Sequence, residues 1–148
     1  MSVKLSVTGV KEIDQVLKGL PRQLQDKVLA QAHADAAKPL VERAKNIVPK
    51  RKGNLRDSIG TEKLGKRGNE IGQVQVGPRR SKRWLGHGAL LVEFGTKKRA
   101  TKKGANRGVM PKKPFMFPAF RQTKQLVEGR IAKAIGQKLY NFMKRTLK

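Results

Sequence analysis

The chain has 148 residues, 35 of them Lys or Arg against 10 Asp or Glu, for a net charge of +25 at pH 7. The absence of cysteine excludes disulfides, thiolate metal sites and cysteine nucleophiles, and two histidines are too few for a zinc cage without several carboxylates. No apolar run approaches the roughly 20 residues of a membrane span, and the first residues lack the apolar stretch of a secretory signal, so neither a membrane role nor secretion by that route is expected.

The length predicts a single domain over residues 1–148. At 37% hydrophobic and 5% aromatic residues, its core should be thin and made mainly of Leu, Ile, Val and Ala.

Val3, Leu5 and Val7 alternate with polar residues and predict a first strand. Val10, Ile13, Val16, Leu17 and Leu20 recur at helical spacing, and Gly19 and Pro21 should stop that short helix. From Pro21 a longer stripe follows, through Leu24, Val28, Ala32, Ala36, Leu40, Ala44 and Ile47. Pro39 lies inside it, where it would cost a hydrogen bond and a ring clash, so a kink or break is expected at Ala37–Pro39. Pro49 should end the segment, and Gly53 should permit the turn out of it.

Two strands are predicted next, Asp57–Leu64 and Glu70–Val76, joined by the turn-rich Gly65–Asn69. Arg56 and Ser58 alternate with Leu55 and Asp57, which would give the entry to the first strand a polar face. The apolar run Ala89–Phe94 fits a further strand and a helical turn equally well. Pro114 and Pro118 bracket Phe115 and Phe117, suggesting a stiff extended segment that either anchors in a groove or packs into the protein's own core. Leu126, Val127, Ile131, Ala134, Ile135, Leu139, Phe142 and Met143 then mark one face of a C-terminal helix. The fold class is α+β, a small antiparallel sheet of about three or four strands packed against a long kinked helix and a C-terminal helix.

Charge is unevenly spread. Residues 1–50 carry a net +4, residues 51–93 a net +6 and residues 94–148 a net +15. The densest stretch, Phe94–Lys113, holds Lys97, Lys98, Arg99, Lys102, Lys103, Arg107, Lys112 and Lys113 without one acid. It has no apolar periodicity and several glycines, so a long mobile basic loop, about residues 96–113, is expected. A smaller cluster, Arg79, Arg80, Lys82 and Arg83, follows Pro78, with Trp84 beside it.

Catalytic groupings are lacking in the sequence. Glu62, Glu70 and Glu93 stand apart from one another, Ser58 and Ser81 have no GxSxG context, and Gly68–Gly72 lacks the lysine and helix of a phosphate loop. His33 sits among alanines as an ordinary surface or boundary residue, and His87 has no partner in sequence. An enzyme is not expected, and neither is a cofactor or a metal. The two cationic clusters instead suit contact with DNA or an acidic partner, because each neutralised phosphate releases counterions without regard to sequence. Glu93 is the lone acid of residues 71–127 and should either pair with an arginine or sit solvated at an edge.

Three motifs stand in order along the chain. Val48-Pro49 leads into Gly53-Asn54-Leu55-Arg56-Asp57-Ser58-Ile59; then comes Leu91-Val92-Glu93-Phe94-Gly95-Thr96; last is Pro114-Phe115-Met116-Phe117-Pro118-Ala119-Phe120. This ordered set resembles the head–tail joining, or tail-completion, minor tail and neck proteins of long-tailed bacteriophages. Lys52 stands where a threonine is common in that family, Pro39 breaks the second helix, and the basic loop is longer and more charged than the resemblance leads one to expect.

The resemblance implies a structural protein of the virion's tail or neck, present in the host cytoplasm during assembly, that joins head to tail and surrounds the path of the DNA. Its implied partners are copies of itself in a ring (a hexamer on assembly, a monomer when free), neighbouring neck and tail proteins, and packaged DNA through non-specific contact. It also implies that Gly53, Leu55, Arg56, Ser58, Glu93, Phe94, Gly95, Thr96, Pro114, Phe115, Pro118 and Ala119 serve assembly. A stand-alone basic nucleic-acid-binding protein is the alternative.

Overall fold

The computed structural model describes residues 14–15, 17–50, 52–64, 71–81, 83, 85–102 and 104–146, the side chains of 143, 145 and 146 excepted. The predicted first strand, the Gly65–Asn69 turn, Lys82, Trp84 and Lys103 lie outside these residues. In order come α1 (Arg22–Ala36), α2 (Lys38–Ile47), α3 (Asn54–Ser58), β1 (Ile59–Lys63), β2 (Val74–Pro78), α4 (Ala89–Phe94), β3 (Arg99–Ala100), β4 (Asn106–Gly108) and α5 (Met116–Thr146). The fold is α+β, but its four described strands form two separate two-stranded antiparallel sheets, β1–β2 and β3–β4, rather than one.

The chain divides into two compact units. The first comprises residues 1–37, 63–75 and 125–148, and the second residues 38–62 and 76–124.

The apolar stripe forms the helices it predicts. In α1, Val28, Ala30, Ala32 and Ala36 are buried, and in α2, Leu40 and Ala44. The break falls at Ala37, whose N–H still reaches the His33 carbonyl at 3.0 Å. Pro39 thereby becomes the second residue of a new helix, where no partner is needed for its missing N–H.

In the first unit, α1 grips the segment that leads into β2. The Gly72 N–H donates to Asp26 Oδ1 at 2.7 Å, and His33 Nδ1 donates to the Gly72 carbonyl at 2.7 Å. Lys63 Nζ donates to the other carboxylate oxygen of Asp26 at 2.6 Å. Asp26, Leu29, Ala30 and His33 share one helix face at spacings of three and four residues. Gly72 lies against that face with φ +69°, and a Cβ there would come within 2.3 Å of the Leu29 Cβ. Asp26 is buried, yet its charge has both a backbone donor and a lysine.

The second unit buries Leu40, Ala44, Val48, Ile59, Ala89, Phe115 and Ala119. Residues 54–58 correct the strand reading: they form one helical turn, closed by the Asp57 N–H to the Gly53 carbonyl at 2.9 Å. Gly53 enters it at φ +79°, a left-handed conformation that favours glycine. Ser58 is fully buried, its hydroxyl donating to the Leu55 carbonyl at 2.6 Å, so Arg56 and Ser58 do not share an exposed strand face. The expected extended segment around Pro114–Pro118 is also corrected. Helix α5 already begins at Met116, and Pro118 sits in its first turn, where proline is tolerated.

Candidate assembly and polyanion surface

The basic stretch, expected from the sequence to be a long mobile loop, contains a short two-stranded hairpin. Arg99 pairs with Gly108 and Ala100 with Asn106, so a bulge leaves Arg107 as the extra residue on β4. Short-range polar chemistry holds the turn. Thr101 Oγ1 accepts the Ala105 N–H at 3.0 Å, the Gly104 N–H returns to the Thr101 carbonyl at 2.9 Å, and Asn106 Oδ1 accepts the Gly108 N–H at 2.8 Å.

A neck joins this hairpin to the body. The Thr96 N–H donates to the Met110 carbonyl at 2.9 Å, and the Met110 N–H donates back to Thr96 Oγ1 at 2.9 Å. Gly95 has φ +72°, and a Cβ on it would stand 2.8 Å from the Met110 oxygen. One step further, the Lys113 N–H donates to the Val92 carbonyl at 2.7 Å.

The hairpin and the segment that follows it display only positive charge. Lys97, Lys98, Arg99, Lys102, Arg107, Lys112 and Lys113 are all exposed, and none has an acidic partner among the described residues. In the smaller cluster, Arg80 and Arg83 are exposed at a turn closed by a bridge between Arg80 and Leu85. Arg79 instead points inward: its backbone N–H and its Nε both donate to the Ser58 carbonyl, at 3.0 and 3.1 Å.

Glu93 follows neither reading made from the sequence. It is 8% exposed, and its carboxylate takes the first backbone N–H groups of the C-terminal helix. Phe115 donates to Oε2 at 2.7 Å, Met116 to Oε2 at 3.0 Å and Phe117 to Oε1 at 3.1 Å. A helix start leaves such donors orphaned and carries partial positive charge, so a carboxylate satisfies both needs. The second and third motifs are thus two halves of one joint. Phe115 and Ala119 are fully buried beside it, whereas Phe94 and Phe117 are exposed, Phe117 with the Arg121 guanidinium 4.6 Å above its ring. Pro114 is exposed and Pro118 half-buried.

A model of the family described as "Bacteriophage HK97-gp10, putative tail-component" matches residues 11–95, more than half of the chain. The chain belongs to this HK97-gp10-like family. The matched stretch holds the first motif and the second as far as Gly95; Thr96 and the third motif lie beyond it. Membership makes the protein a phage tail component, hence a part of the virion in contact with other tail or neck proteins. No curated protein and no solved structure matches the chain.

Among the described residues, no group of three or more His, Asp or Glu could hold a metal, and no helix is long and apolar enough to cross a membrane. Sequence reading missed the Asp26–Gly72–His33 clamp and the Thr96–Met110 neck. The unusual conformations of Gly72 and Gly95 were the nearest signals, and they show only in the backbone.

Proposed function

We propose that this tail component joins head to tail as a ring of its own copies around the DNA channel, with the basic hairpin turned toward DNA phosphates. The observation that carries the reading is the row of exposed, unpaired cations on a hairpin anchored at both ends. Phosphate contact through such a row needs no base recognition, which suits a conduit for any sequence. Exposed apolar side chains on the same unit support assembly: Leu90, Leu91 and Phe94 on α4, and Phe117 and Phe120 on α5. Burying them between neighbours would add to a thin core.

Genetic removal from the producing phage tests the reading. Filled heads and finished tails should accumulate separately, and adding the purified protein should join them with a ring of density at the neck. Normal joining without the protein would defeat the proposal, and tight duplex binding by a lone monomer absent from particles would favour a stand-alone nucleic-acid-binding protein.

A further inference from the structure

The second unit also holds a cavity of about 470 Å³, within the range of about 300–1,000 Å³ typical of ligand sites. Its walls come from Lys52, Asn54 and Leu55 after α2, from Leu85 at the base of the small basic turn, and from Val92 and Lys113 around the neck. We propose that this cavity receives an acidic, apolar-anchored segment of a neighbouring virion protein. The inference uses family membership alone and does not depend on the hairpin meeting DNA.

Much of the lining is apolar. Leu55, Leu85, Val92 and Met110 contribute to it, and Leu85 remains 52% exposed, so a side chain entering here would cover surface the protein leaves open. Met110 adds an adaptable thioether that can follow the contour of an incoming leucine or phenylalanine. Polar groups at the lining add specificity. Lys52 and Lys113 are exposed and form no ion pair among the described residues, and the Asn54 amide makes no hydrogen bond there. Two ammonium groups and an amide beside this apolar lining fit an extended segment that carries acids on either side of its apolar anchor.

A second copy of this chain is the poorer occupant. The apolar side chains that the same unit of a second copy could offer, Leu90, Leu91, Phe94, Val109, Phe117 and Phe120, lie in a stretch, residues 71–127, whose one acid, Glu93, is buried and engaged at the α5 start. Each would bring cations against Lys52 and Lys113.

Titration calorimetry on the full chain provides the test. The probe is a blocked pentapeptide alternating three acids with leucine and phenylalanine, beside a control of equal charge with serine at both apolar positions. At about 150 mM salt, the apolar peptide should bind about tenfold more tightly than the control. Leu85→Ser, at an exposed position, should cut that preference to about threefold or less. Lys113→Glu should weaken the apolar peptide without altering thermal unfolding. Equal affinity for the two peptides, or a preference unchanged by Leu85→Ser, would overturn the proposal. A mass that rises with protein concentration and falls when the apolar peptide is added would also overturn it, by making the occupant a second copy.

Discussion

The carboxylate of Glu93 accepts the backbone N–H of Phe115 at 2.7 Å, across 22 positions of sequence. With Met116 and Phe117 as further donors, one side chain on a six-residue helix caps a helix of 31 residues. The cap is buried and charged, so it contributes more than a solvent-exposed cap does.

Replacing that carboxylate should therefore cost stability in graded steps. Glu93→Gln keeps one acceptor oxygen and should lose about 1 kcal/mol, while Glu93→Ala leaves three donors without their acceptor and should lose about 2–3 kcal/mol. Urea unfolding followed by circular dichroism measures both. Equal stability of Glu93→Ala and wild type would mean that water serves the helix end as well.

Gly72 should be the least replaceable glycine of the described residues. Gly72→Ala forces a left-handed residue into the side chain of Leu29, and a loss of about 2 kcal/mol or more is expected. Gly77→Ala is the internal control, since nothing lies within 4 Å of a Cβ there, and it should change stability by no more than about 0.5 kcal/mol. Matching melting temperatures for the two variants would contradict the packing described.

The neck can be loosened without touching the charges. Thr96→Val removes the acceptor of the Met110 N–H and should cost about 1 kcal/mol, whereas Thr96→Ser should be close to neutral. Hydrogen exchange at Met110 should quicken in the valine variant alone. Unchanged exchange would assign the closure to the rest of the hairpin.

Glutamine at Lys97, Lys98, Arg99, Lys102 and Arg107 should weaken duplex DNA binding. The slope of log affinity against log salt should flatten by about 0.9 for each phosphate contact removed. Thermal unfolding should stay where it was, because these side chains are exposed and unpaired. A slope that does not move would separate the hairpin from any DNA contact.

Much of the helical frame is legible in the residues. The Leu24-to-Ile47 stripe has one period, and Pro39 marks its break for a local steric reason. Residues 89–94 satisfy both periodicities, and the helix is what aims Glu93 at the α5 start. Residues 54–58 alternate like a strand but close into a turn around Gly53. The β3–β4 hairpin lacks apolar alternation and is written instead in Thr101, Gly104, Asn106 and Gly108. The cap, the neck and the Asp26 clamp stayed hidden because each rests on main-chain N–H groups, and every non-proline residue has the same one. Of the candidate site, the exposed cations were foreseeable from composition, whereas the inward turn of Arg79 was not.

Because the body itself fastens both ends of residues 97–109, what lies between them behaves as a graft. Doubling the length of such an insert adds only about 0.6 kcal/mol of closure entropy. Related tails could therefore exchange, shorten or recharge the appendage while leaving its socket intact, and so meet differently shaped neighbours by rewriting one short stretch of the gene.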